Sequence, residues 1–258
     1  MPESNGLVYN RRGSGVPLLL VHGLGSRKEV WNPIAPALAE RRDVIAVDLP
    51  GFGSSAVDGP GGVHRYVDRV ATFIDDLGLD KPEVAGNSMG GAIALELGRR
   101  GVVSKVTAVS PIGFWTKAER IWCQQALSKT RALGKFAPLQ LSRVIHTGAG
   151  GNMLRLTYGK PHLVAEQQKQ GDLEGLLLAT GFDEAAASFA GYDFERGNAL
   201  DDVAVTVAWG TRDALLFYRT QAARARAALP KASHVVLRGS GHVPFADDPA
   251  GCVDAILG

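Results

Sequence analysis

Ser88 sits in the run VAGNSMGGAI, with Gly86 two positions before it, Gly90 two positions after it, and Gly91 next in line. A short apolar run precedes this serine and a helix-like stretch, residues 89–100, follows it. G-x-S-x-G between a strand and a helix fits a sharp, strained turn that lifts a hydroxyl above the end of a sheet. Side chains at the flanking glycines would collide with the tightened backbone, which gives the crowding of glycine a steric reason. A serine hydroxyl is a weak nucleophile until a base takes its proton, so the question becomes which histidine could do so.

Six histidines are available. His64, His146 and His162 fall in predicted helices or loops away from strand ends, and His234 opens a strand. His22 follows VPLLLV directly, and His242 lies in GSGHVPF after the last predicted strand. Open parallel sheets place their chemistry at the carboxyl ends of the strands, which makes these two the candidates. Gly239, Gly241 and Pro244 build a positioned, exposed loop around His242, whereas His22 is hemmed between Val21 and Gly23, where the backbone is the useful part. The base needs a carboxylate to fix its tautomer and support its charged form. Asp213, in VAWGTRD, follows the carboxyl end of a predicted strand; Asp247 and Asp248 are nearer in sequence but lead into the last helix, where they are expected as caps. Ser88, Asp213 and His242 are therefore the expected catalytic set.

The elements that must position them follow from periodicity. Short β-branched runs at 16–21, 43–49, 82–86, 104–110, 203–210 and 233–239 read as buried parallel strands. Amphipathic stretches at 32–40, 64–79, 89–100 and 217–229 alternate with them as helices. That alternation predicts an α/β fold, a doubly wound, mostly parallel sheet of about seven strands with right-handed crossovers. The alternation breaks between Pro111 and about Leu200, where several helices are predicted. A stretch this long is a subdomain rather than a connection. Its aromatic residues, Trp115, Trp122, Phe136, Tyr158 and Phe189 among them, are expected mainly in its own core, with a minority lining a pocket.

The 258 residues carry a formal net charge of +2, which leaves no footprint for nucleic acid or an anionic membrane. The arginine pairs at 11/12, 41/42 and 99/100 read as solvated faces. Two cysteines, Cys123 and Cys252, form no CxxC or His/Cys spacing for zinc, so no metal site and a reducing compartment are expected. The first thirteen residues lack the apolar segment of a signal peptide, and no run is long enough to cross a bilayer. A cytoplasmic location is expected; oligomeric state is not readable.

The order Ser88, Asp213, His242, together with VHGLGS, DLPGFGSS, GNSMGG, WGTRD and GSGHVPF in sequence, resembles the α/β-hydrolase fold family over nearly the whole chain. The resemblance implies a serine-nucleophile, carboxylesterase-like enzyme. It implies an oxyanion hole from the backbone N–H groups of Leu24, in the His-Gly turn, and Met89, after the nucleophile. It implies a core domain of residues 1–112 and 199–258 and a helical cap, residues 113–198, inserted after the family's sixth strand. Only LVYNRRG precedes VPLLLV, so the usual first strand is expected to be missing or rudimentary. The substrate expected is a small to medium, mainly apolar carboxylic ester cleaved through an acyl-enzyme, with no cofactor.

Two rivals share the fold. Carbon–carbon bond hydrolases of aromatic ring-cleavage products resemble the chain around GNSMGG, but usually carry a glycine- and proline-rich oxyanion loop and a tryptophan after the histidine, where this chain has GLGSRK and Val243. A non-enzymatic small-ligand receptor is the other. DLPGFGSSA also contains G-x-G-x-x-A after a strand, but the following VDGPGG cannot open the helix that a dinucleotide's pyrophosphate needs.

Overall fold

The computed structural model describes residues 2–144, 147 and 153–258. Eight strands form one sheet: β1 (Glu3–Ser4), β2 (Leu7–Gly13), β3 (Pro17–Val21), β4 (Asp43–Val47), β5 (Glu83–Asn87), β6 (Lys105–Val109), β7 (Ala204–Gly210) and β8 (Ser233–Leu237). Their spatial order is β1-β2-β4-β3-β5-β6-β7-β8. From β4 to β8 every pairing is parallel, while β1 and β2 run antiparallel. The first strand is rudimentary, as expected, only two residues long, while LVYNRRG supplies the second. LVYNRRG reads poorly as a strand because its second half is charged, yet it pairs with β1 through Leu7 and Val8 and with β4 from Tyr9 to Gly13. Arg11 forks onto Asp43 of β4 at 2.6–3.1 Å, and the Tyr9 ring meets Phe73 edge-on at 5.3 Å.

The helices within the core follow the expected alternation: α1 (Ala35–Ala39), α2 (Val63–Asp76) and α3 (Met89–Arg99). In α2 the buried residues Val63, Tyr66, Val67, Val70, Phe73 and Ile74 recur at helical spacing and seal one face of the sheet. The α3 helix is buried on all sides from Met89 to Gly98, which a helix behind the sheet's centre must be. Between β6 and β7 the described elements are helical: α4 (Lys117–Phe136), α5 (Pro138–Val144), α6 (Glu166–Leu178) and α7 (Phe182–Ser188), with short 3₁₀ turns. Thr116 and Glu119 close a capping box at the start of α4, the Glu119 N–H reaching the Thr116 hydroxyl at 3.3 Å and the Thr116 N–H reaching the Glu119 carboxylate at 2.7 Å. The excursion leaves and returns at one point, where the Phe194 N–H donates to the Gly113 carbonyl at 3.0 Å. After β7 come a π-helical turn, Tyr218–Ala222, then α8 (Ala223–Ala228), and after β8 the final helix α9 (Pro249–Leu257).

Two apolar clusters flank the sheet. One gathers α2, α3 and the returning segment around Phe73, Phe182 and Trp209; the other packs α1 and α9 around Trp31 and Phe245, whose rings lie 4.2 Å apart. The parallel register brings Val21, Asn87, Val109, Gly210 and Leu237 to one end of the sheet, so the loops after β3, β5, β7 and β8 emerge together. Arg42 and Arg99 are not simply solvated; they pair with Glu83 at 2.9 Å and Glu96 at 2.5 Å. Among the described residues no helix is long and apolar enough to cross a membrane.

Candidate active site

Ser88 joins β5 to α3 with φ 59° and ψ −117°. A side chain in this region is strained by about 1–3 kcal/mol, and neighbouring contacts must hold it there. Three backbone hydrogen bonds do so: the Ser88 N–H donates to Val109 O at 2.9 Å, and the Ser88 carbonyl accepts from Ala92 N at 3.1 Å and Ile112 N at 3.2 Å. The glycines act as their spacing predicts. A Cβ on Gly86 would stand 2.0 Å from the Gly90 carbonyl oxygen, and one on Gly90 would stand 2.1 Å from that of Val21.

His242 and Asp213 meet. The His242 Nδ1–H donates to Asp213 Oδ2 at 2.9 Å, and Asp213 Oδ1 accepts the N–H groups of Leu215 at 3.0 Å and Leu216 at 2.8 Å. Both residues are buried. With Nδ1 donating, the ring's basic lone pair is on Nε2. His242 and Ser88 open onto one cavity of about 100 Å³, whose walls also include Leu24, Leu127, Leu176 and Leu215. The Leu24 N–H has no hydrogen-bond partner among the described residues, and Met89 begins α3, where an N–H has no intrahelical acceptor.

The other histidines stand apart from this pair. His64 lies on α2 beside Tyr192, His162 on a 3₁₀ turn, and His234 on β8 with its Nε2–H toward Leu229 O; His146 falls outside the described residues. His22 contributes more than its backbone. Its Nδ1–H donates to Gly23 O at 2.8 Å and its Nε2 accepts from Leu49 N at 3.0 Å. Burial lowers its pKa, which keeps this donor-and-acceptor arrangement neutral and ties the Gly23–Leu24 turn to the end of β4.

Asp247 differs from expectation. Asp248 does cap α9, accepting from Gly251 N at 3.1 Å, but Asp247 accepts the N–H groups of Gly159 and Lys160 at 2.7 Å and of Gly241 at 2.8 Å. The reason is packing: a Cβ on Gly241 would lie 2.5 Å from Gly159 N, so two backbone segments touch and need one acceptor between them. Asn87, an unspecified position of the serine motif, is another unforeseen residue. Its Nδ2 donates to the carbonyls of Val109 at 3.1 Å and His242 at 3.0 Å, fastening the histidine's loop to β5. Of the aromatic residues in the helical excursion, Trp115 and Phe189 pack together at 5.4 Å as expected, and Tyr158 lines the cavity. Phe136 is not core: it is 90% exposed. Cys123 is buried near Asp213, and burial with that carboxylate pushes its thiol up to about 12, so it is no competing nucleophile. The glycines of DLPGFGSSA turn back on Asp48, which accepts the Ser54 N–H at 2.9 Å, and the next helix opens only at Val63.

Residues 18–255 match the model of a family described as the alpha/beta hydrolase family. An uncharacterised protein of Mycobacterium tuberculosis is 29% identical over 259 residues, spanning 95% of this chain and 75% of its own. The 2-hydroxymuconate semialdehyde hydrolase of a Pseudomonas species is 38% identical over 93 residues, 34% of this chain and 33% of that one. A thermophilic esterase from Thermogutta terrifontis superposes with a TM-score of 0.76 at 23% identity, covering 97% of this chain and 91% of the esterase. With a family match across almost its whole length and an eight-stranded sheet of the same architecture, this chain is a hydrolase-fold protein that belongs to the alpha/beta hydrolase family.

Proposed function

We propose that this chain is a serine hydrolase that cleaves small carboxylic esters through an acyl-enzyme. The observation that carries the reading is the His242–Asp213 hydrogen bond at 2.9 Å on the wall of the cavity into which strained Ser88 opens. In this reading Ser88 Oγ attacks the ester carbonyl carbon while His242 Nε2 takes its proton. Asp213 holds the Nδ1–H tautomer and supports the imidazolium. The oxyanion draws on the N–H groups of Leu24 and Met89, which are preorganised by the His22 tether and by the start of α3. The alcohol leaves with the proton from His242, and water activated by the same ring then releases the acid. Residues 113–198 serve as a cap: Leu127, Asp172 and Leu176 come from its helices and wall the cavity from above. A cavity of about 100 Å³ favours short acyl chains.

A second reading is cleavage of a carbon–carbon bond in a ring-cleavage product, favoured by the 38% identity to the semialdehyde hydrolase over 93 residues. One experiment separates these and a third possibility, a receptor without turnover. The purified protein is treated with a fluorophosphonate probe and assayed with p-nitrophenyl acetate and with 2-hydroxymuconate semialdehyde. Ser88 labelling with ester turnover supports the esterase. Turnover of the semialdehyde alone supports the second reading. Labelling and turnover both absent overturn the enzyme.

A further inference from the structure

One carboxylate in the cavity has no part in the chemistry just described. Asp172, on α6, lines the same cavity as Ser88 and His242 and is half-buried there. Its oxygens accept from two neutral donors, the Tyr158 hydroxyl on Oδ2 and Gln168 Nε2 on Oδ1 at 2.7 Å. Among the described residues no lysine or arginine forms an ion pair with it. The nearest cation to act on it, Arg27, is engaged by Glu29 at 3.5 Å and Glu174 at 3.9 Å. Much of the rest of the lining is apolar, with Val30, Leu127, Leu176, Leu215 and Val243, beside the hydroxyls of Ser26 and Thr157. Folding alone gives no reason for this placement, because a carboxylate against hydrocarbon, without a cation, costs free energy. Its burial shows in its acidity, which desolvation raises to about 6.

Tyr158 makes the carboxylate a fixed feature. The tyrosine is buried, its N–H donates to Leu154 O at 2.8 Å, and the next residue is tied to Asp247. With two neutral donors in place, a carboxylate still has lone pairs to offer, and those accessible to the cavity can only be met by whatever occupies it. Asp172 and Ser88 line one cavity of about 100 Å³, so a molecule seated at Ser88 shares that space with the carboxylate.

We infer that Asp172, held by Tyr158 and Gln168, is a specificity-determining residue that selects esters carrying a hydrogen-bond donor, a hydroxyl or an ammonium group, a few bonds from the scissile carbonyl. The inference rests on the proposed ester hydrolysis at Ser88. It adds that the substrate is apolar except at one donor position.

Three methyl esters of nearly equal shape test it: methyl 3-hydroxybutanoate, methyl 3-aminobutanoate and methyl 3-methylbutanoate, with hydrolysis followed by pH-stat titration at pH 7.5. The wild-type protein should favour one or both donor esters over the methyl isostere by about tenfold or more in kcat/KM, the range expected for a hydrogen bond to a charged group. Asp172→Leu should bring that ratio to about one or below. Asp172→Asn keeps the shape and loses the charge, so it should abolish a preference for the ammonium ester and only weaken one for the hydroxyl ester. Tyr158→Phe, which frees the carboxylate, should reduce the ratio by a smaller factor. Fluorophosphonate labelling of Ser88 in each variant shows that the site is still assembled. If the wild type hydrolyses all three within twofold of one another, or if the ratio survives undiminished in the labelled Asp172→Leu variant, the selection is wrong while the esterase reading stands. If no ester is hydrolysed and Ser88 is not labelled, the esterase reading itself fails.

Discussion

At the scale of single residues the site rests on three side chains with unequal consequences. Ser88→Ala removes the nucleophile while leaving the turn's backbone hydrogen bonds in place, so the fold should persist and kcat should fall by something on the order of 10⁶; a loss of tenfold or less in steady-state ester hydrolysis would displace Ser88 from this role. Asp213→Asn changes one atom type, yet an amide favours the wrong imidazole tautomer, and about 10⁴ of kcat should go with it. Asp248→Asn, measured alongside, should leave kcat nearly unchanged, since that residue reaches only the start of α9. Ser88 and His242 were legible in the sequence because their glycine surroundings are short-range signals. Asn87 was not, because its importance lies in a hydrogen bond to His242 O, a residue 155 positions away.

At the scale of elements, buried polar side chains hold the loops after β3 and β8, and two of them, His22 and Asp247, were legible to different degrees. His22 was marked by its place after a strand, though its ring's double tether depends on Leu49, across the sheet. Asp247 was misread as a cap because the only visible context was the helix after it. Its actual partners, Gly159 and Lys160, belong to a distant segment. The distinction is measurable. Asp247→Ala leaves two buried N–H groups and one part-buried N–H without an acceptor and should cost about 3 kcal/mol, whereas Asp248→Ala should cost about 1 kcal/mol, both read from urea unfolding. Equal costs would show that the histidine's loop does not depend on Asp247. LVYNRRG was not placed among the strands, and its arginine at 11 is met by Asp43 on β4, a contact no local window contains.

At the scale of the whole molecule, burial of a carboxylate in the cavity couples substrate choice to stability. The pKa of Asp172 is raised to about 6 by desolvation, with Tyr158 and Arg27 as the titratable or charged groups that act on it, so the folded state holds this proton more tightly than the unfolded chain does. The stability attached to that proton is present below the unfolded carboxyl's range, near pH 4, and is lost as pH rises through about 6. Asp172→Asn should therefore melt at a higher temperature than wild type at pH 8, with the gain shrinking toward pH 4.5; a pH-independent difference in calorimetry would contradict the linkage. The mostly parallel sheet and the location of the helical excursion were readable from alternation, while the carboxylate in the cavity was not, since Asp172 sits in a helix whose pattern marks no polar face. The junction of Gly113 with Phe194 has a consequence for how such a molecule changes over time. Because the excursion starts and finishes at one hydrogen bond, its helices form a cassette: they can be exchanged, lengthened or rebuilt by descent without moving β6 against β7. On the proposed reading, new substrates can then be acquired by replacing the roof while Ser88, His242 and Asp213 beneath it stay in place.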